Sequence, residues 1–313
     1  MLVRAPATVL LVAAVCWALV EAAPGSTVDR AARAGGALPA DSARIPAELR
    51  AEILAMVTRA HDLEGPASAR IWRRVSALAR LEFGASWRDG TPVVDALGRA
   101  ASPTLRLWSM ALFLAVLLGL AAAVLSVRTP GGGLDTVLSG LSGLALALPP
   151  VWVALLGLGA FADGQPWRVL PPEGLNSPGA YILPLFSMAL VPTCVVARHA
   201  RAALVIAMRS PWAVAARARG ASRERVLAVH CVRASLGQLL ALLPVLTAYL
   251  TGATLVVEEV FGIAGLGALL LDGAQRGDAP VVVGVAVVAA AVIVAVSVGA
   301  EFIARRADPR EAR

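Results

Sequence analysis

Long uncharged runs separated by short polar stretches dominate the chain. Six windows carry no acid, arginine or histidine: Ala5 to Val20, Leu107 to Val127, Thr136 to Ala162, Leu175 to Ala197, Ala234 to Val257 and Ala279 to Ala300. The last five each reach the ~20 residues needed to span a hydrocarbon core as a helix. The first is shorter and admits two readings. A positive start, an apolar run and the small residues Ala22 and Ala23 also describe a cleavable signal peptide. A retained helix is the preferred one. Between the first two windows the pattern changes to amphipathic. Leu49, Ile53, Leu54 and Val57, then Ile71, Val75 and Leu78, recur at helical spacing and predict two surface helices.

The expected fold is therefore all-α and integral to a membrane, with six transmembrane helices. Residues 1–23 form the first, 24–103 a helical extracytoplasmic insertion, and 104–313 a five-helix core carrying a cytoplasmic loop over 198–235. Charge supplies the orientation. Arg128 marks one short turn, eight arginines against the single acid Glu224 crowd the stretch from Arg198 to Arg233, and Arg305, Arg306, Arg310 and Arg313 follow the last window. The alternate turns contain Arg168 and Arg276, each outnumbered by acids. Arginine-rich short loops stay cytoplasmic, which places both termini inside.

Composition agrees, with 58% hydrophobic and 16% charged residues and a mean hydropathy of +0.75. The net charge of +7 comes from arginine alone. Because that charge flanks apolar spans, it points to a lipid bilayer and not to nucleic acid as the partner. Cys16, Cys194 and Cys231 have no metal-ligand spacing, and neither a metal nor a cofactor is expected. His61, His199 and His230 are scattered, and without lysine no GxxxxGK[ST] phosphate loop can be completed. No catalytic residue is assigned, so this polypeptide is expected to hydrolyse no ATP itself.

Two stretches carry a specific signal. In the arginine-rich loop the signal is carried by Pro211, Trp212, Ala215, Ala216, Arg217, Ala218, Arg219, Gly220 and Ala221: Ala213 to Ala218 is rich in small helix formers and Gly220 follows where a helix would stop, predicting a short helix ended by a glycine cap. Two alanines, three residues and a glycine, with Ser222, Val226, Leu227, His230 and Arg233 beyond, resemble the EAA loop of the dipeptide, oligopeptide and nickel permeases of ABC importers. Val214 stands where the motif's leading acid would be, and the proline expected near Gln238 is absent. The competing reading is that the arginines only enforce topology. The second stretch, Glu258, Glu259 and Phe261, then Gly265, Leu266 and Gly267, then Asp278 and Pro280, resembles the same family's outer segment, with Ala264 in place of a proline. Its glycines would allow the tight, positive-φ turns of a short re-entrant hairpin. Asp62 with Pro66, the run from Glu82 to Ser86, and Gly90 to Val93 complete the resemblance, which extends from Pro24 to Arg310.

The resemblance implies an ATP-driven importer's permease subunit in the inner membrane. It would work with a second, homologous permease, two ATPase subunits and an extracytoplasmic substrate-binding protein, and carry peptides or similar small solutes. The loop over 211–220 would be the ATPase-coupling helix. Because mid-membrane charge is costly and kept for function, its absence from the windows speaks against ion coupling. Pro149, Ser187, Thr193, Thr247, Tyr249 and Thr251 are the candidates to line a passage. Two alternatives are an ion-coupled secondary carrier and a membrane-anchored sensor or assembly protein using residues 24–103.

Overall fold

In the computed structural model, residues 4–39, 45–161 and 178–307 are described. Ala162, Arg168, Leu175, Arg310 and Arg313, used above for windows, topology and the family resemblance, lie outside them. The described residues form helices α1 (Arg4–Ala22), α2 (Thr27–Ala34), α3 (Ala47–Ala60), α4 (Ala67–Ala79), α5 (Val93–Arg128), α6 (Gly133–Leu146), α7 (Pro150–Phe161), α8 (Ile182–Arg209), α9 (Pro211–Ala218), the single turn α10 (Arg223–Arg225), α11 (Val232–Leu240), α12 (Leu243–Val260), α13 (Leu266–Arg276) and α14 (Ala279–Ala307). Among them the one β feature is an isolated antiparallel bridge between Ala85 and Pro92. Among the described residues, five helices are long and apolar enough to cross a membrane, or six if α6 and α7, bent by 100°, make one span.

Helix boundaries depart from the hydropathy windows in three places. The Thr136 to Ala162 window is broken at Ala147–Pro149, because Pro149 and Pro150 remove two donors from the helical ladder. The Leu175 to Ala197 window does not end at Arg198: α8 continues to Arg209, so the first twelve residues of the expected loop are helix. Hydropathy marks where a side chain meets lipid, not where a backbone stops being helical. The Ala234 to Val257 window is split at Ala241 and Leu242, between α11 and α12, and a π-turn over Val226–Cys231 precedes it.

The chain divides into two compact units. The first comprises residues 1–104 and 264–294. Its core joins Ala13 and Trp17 of α1 to Ala31 and Ala34 of α2, Trp87, and Ala279, Val283 and Val287 of α14. Polar ties fix the helices around it. Ser26 caps α2 by accepting from the Asp29 amide at 2.9 Å. Arg50 of α3 reaches Asp29 at 3.0 Å. Arg70 of α4 grips Glu21 of α1 through Nε at 3.0 Å and a terminal nitrogen at 2.5 Å. A second cluster packs Val93, Leu97 and Ala100 of α5 on Leu266, Val281 and Val285, and there Gly284 leaves room for Val93 where a Cβ would come within 2.9 Å.

The second unit comprises residues 105–263 and 295–313. Its core gathers Ala123 and Val127 of α5, Ala200, Leu204 and Met208 of α8, Ala213 of α9, and Val226, Leu227 and Cys231. Helices α6, α7, α11 and α12 all pack on α8, making it the central rod. Trp108 of α5 donates its indole N–H to Thr254 of α12, with both side chains buried.

Candidate functional site: the helix from Pro211 to Ala218

Ser210 separates α8 from α9 with an extended ψ of 151°, and Pro211 takes the first helical position, where its missing N–H costs nothing. The Ser210 hydroxyl donates back to the Ala207 carbonyl at 2.6 Å, so the corner between the two helices is hydrogen-bonded. At the far end Gly220 adopts φ +92°. Its amide donates to the Arg217 carbonyl at 2.9 Å, and the Ala221 amide donates to Ala216 at 3.2 Å, closing the helix with a left-handed cap.

The two faces of α9 differ. Ala213 is fully buried and Ala216 half-buried against the core of the second unit, whereas Pro211, Trp212, Val214, Ala215, Arg217, Ala218 and Arg219 are exposed. Trp212 retains 42% and Val214 49% of its surface. A short helix is thus held by one small-residue edge and presents an aromatic, aliphatic and cationic face outward. Spacing alone does not single out Ala213, which anchors the helix more deeply than Ala215 or Ala216.

Polar ties reach this region from the neighbouring helices. Asp135, in the first turn of α6 and 4% exposed, accepts from Arg201 of α8 at both carboxylate oxygens, 2.6 Å from Nε and 2.7 Å from a terminal nitrogen. The same carboxylate accepts from the Ser126 hydroxyl, and from the Gly131 amide at 2.8 Å. Arg223 donates to the Val127 carbonyl at 3.1 Å, satisfying one of the open acceptors in the last turn of α5. These residues were not assigned a site from sequence. Asp135 lies one position outside its apolar window and its partner is 66 positions away.

The outer-segment residues lie at the end of α12 and the start of α13. Glu258 and Phe261 belong to the second unit, at the end of α12, and both are buried. Gly265 caps α13 with φ −107°, and Leu266 and Gly267 are buried in its first turn. The expectation of positive-φ turns at Gly265 and Gly267 is therefore corrected. Gly262 and Gly277, at φ +60° and +72°, take that role, and an eleven-residue helix stands between them where a hairpin was expected. The Leu266 amide donates to Thr104 at 2.7 Å.

The passage candidates fall on the bend before α7 and on two packed helices, α8 and α12. Pro149 is the residue at the bend. The hydroxyls of Ser187, Thr247 and Thr251 donate to carbonyls four residues back, at 2.8, 2.8 and 3.0 Å, a bond that bends helices slightly. Thr193 presents its carbonyl toward Gly119, where α5 and α8 approach so closely that a Cβ would meet it at 2.7 Å. The Tyr249 hydroxyl is buried and has no hydrogen-bond partner among the described residues.

Residues 115–313 match the family model described as binding-protein-dependent transport system inner membrane component. Among curated relatives, the glutathione transport system permease protein GsiC of Escherichia coli K12 is 29% identical over 247 residues, which cover 78% of this chain and 80% of the relative. The protein of that name from Salmonella paratyphi A is 31% identical over 252 residues, covering 78% and 80%. A third, from Salmonella choleraesuis, is likewise 31% identical over 252 residues.

Proposed function

The chain belongs to the binding-protein-dependent transport inner membrane component family and is a multi-pass membrane permease subunit of an ABC importer, and from that premise we propose that α9 is the lever by which a partner ATPase drives it. Family members of this kind work with a substrate-binding protein and an ATPase, and hydrolysis takes place on the latter. The alternatives of an ion-coupled carrier and of a sensor or assembly protein are thereby set aside. The observation that carries the coupling reading is the two-sidedness of α9. Ala213 and Ala216 fasten it to the permease core, Gly220 stops it, and its exposed face offers Trp212, Val214, Arg217 and Arg219 to a complementary groove.

In this reading both termini and α9 lie in the cytoplasm, and residues 24–103 lie outside. The complete importer contains a second, related permease and two ATPase subunits. The solute is a peptide or a similar small molecule, which the glutathione permeases named above support by analogy. Gly220→Trp tests the assignment, because the bulky side chain at a positive φ disturbs the cap while leaving the membrane spans untouched. The variant is expected in the membrane at normal abundance, with uptake abolished in cells. Normal uptake would overturn the coupling role, as would finding 211–220 on the outer face by labelling of engineered cysteines.

A further inference from the structure

We infer that Arg201 and Asp135 form the mechanical joint through which motion of α9 reaches the bent α6–α7 span, and so act as positioning residues for transport. The inference rests on the coupling reading of α9 and adds the route beyond it. Helix α8 runs unbroken from Ile182 to Arg209 and passes through Ser210 directly into α9, so displacement of α9 is delivered to the end of α8. Arg201 lies about 12 Å up that helix at 1.5 Å per residue. From there its planar guanidinium takes both oxygens of Asp135, in the first turn of α6. Such a bidentate grip fixes direction as well as distance.

Three further contacts make the joint stiff. Ser126 and the Gly131 amide fill the remaining acceptor sites of the carboxylate, tying the end of α5 and the turn before α6 to the same point. Gly119 lets α5 and α8 touch backbone to backbone nearer the membrane interior, where a Cβ would lie 2.7 Å from both the Thr193 carbonyl and the Val196 Cβ. Beyond the joint, α6 ends at Ala147–Pro149, the 100° bend. Asp135 is buried but the Arg201 side chain is 36% exposed, so the pair adds little net stability, and positional specificity is the better-attested use of such a pair.

The test uses the assembled importer with its ATPase and binding protein in proteoliposomes, reading solute taken up per ATP hydrolysed. Asp135→Asn and Arg201→Lys are expected to retain hydrolysis and to lose roughly tenfold in that ratio. The exchange Asp135→Arg with Arg201→Asp is expected to recover part of it. If the single variants fail to assemble, the double variant Asp135→Leu with Arg201→Leu decides, since it restores packing without direction and is expected to assemble yet remain uncoupled. A wild-type ratio in either single variant, or in the double-leucine variant, would overturn the joint. Failure of the α9 reading is distinguishable, because it appears as normal uptake in Gly220→Trp.

Discussion

The Ser86 hydroxyl donates to a carboxylate oxygen of Asp278 at 2.5 Å across 192 positions of sequence, and both side chains are buried. The second oxygen of Asp278 accepts from the Trp87 amide at 3.0 Å. Two consecutive residues before α5 are thus pinned to the residue that precedes α14. Asp278→Ala leaves two buried donors without acceptors and is expected to destabilise the protein by about 3 kcal/mol. Ser86→Ala is expected to cost less, roughly 1–2 kcal/mol, because the Trp87 amide still supports the carboxylate. Thermal unfolding of the two detergent-purified variants reads the order, and equal losses would contradict it.

Gly119 and Gly143 separate close packing from open surface. A Cβ at Gly119 would meet the Thr193 carbonyl and Val196 at 2.7 Å, whereas one at Gly143 would meet nothing within 4 Å. Gly119→Ala must therefore push α5 and α8 apart and is expected to cost about 1–3 kcal/mol. Gly143→Ala is expected to be neutral or to gain up to about 1 kcal/mol from helix propensity. The comparison is made by thermal unfolding of the isolated subunit.

Local pattern carried the helices well. The spacing of Leu49, Ile53, Leu54 and Val57 falls on α3, that of Ile71, Val75 and Leu78 on α4, and the small-residue run before Gly220 on α9 with its left-handed cap. These depend on neighbours within a few positions. What was illegible depends on distant ones. The Asp135–Arg201 pair joins residues that no window contains, and although Ser86 and Asp278 each stand in a family-like segment, nothing in either segment pairs one with the other. The overrun of α8 past Arg198 was hidden for a different reason, since arginine is a good helix former and its charge reports only the membrane boundary. Gly265 and Gly267 were misread because glycine permits a positive φ without requiring one.

His61 sets a pH dependence whose sign follows from burial. Its ring lies 6.4 Å from that of Trp87. Burial first, and then the Arg74 guanidinium, push the imidazole below its ordinary value of 6.5, against a smaller opposing pull from Asp278. Folding therefore keeps the ring neutral where the unfolded chain would bind a proton. The stability this contributes is complete above the ordinary value and is lost as pH falls from there toward the depressed folded value. The wild-type protein is expected to melt lower at about pH 5.5 than at about pH 7.5, and His61→Gln to flatten that part of the difference. An unchanged slope in the variant would remove His61 as the cause.

Tyr249 gives the sharpest separation of packing from passage. Its hydroxyl is buried in α12 without a hydrogen-bond partner among the described residues, while the neighbouring Thr247 and Thr251 hydroxyls are satisfied by their own helix. An unsatisfied buried hydroxyl costs about 1–3 kcal/mol. If the group served packing alone, phenylalanine would serve better. Tyr249→Phe is therefore expected to leave the protein at least as stable as wild type, and more stable by up to about 1 kcal/mol. As a passage residue, the same change is expected to lower uptake severalfold at unchanged abundance, because the hydroxyl is then withdrawn from the solute and not from the fold. Melting temperature and uptake are to be measured on the same preparation. Unchanged uptake with raised stability would remove Tyr249 from the passage and leave Pro149, Ser187, Thr193, Thr247 and Thr251 as its candidates.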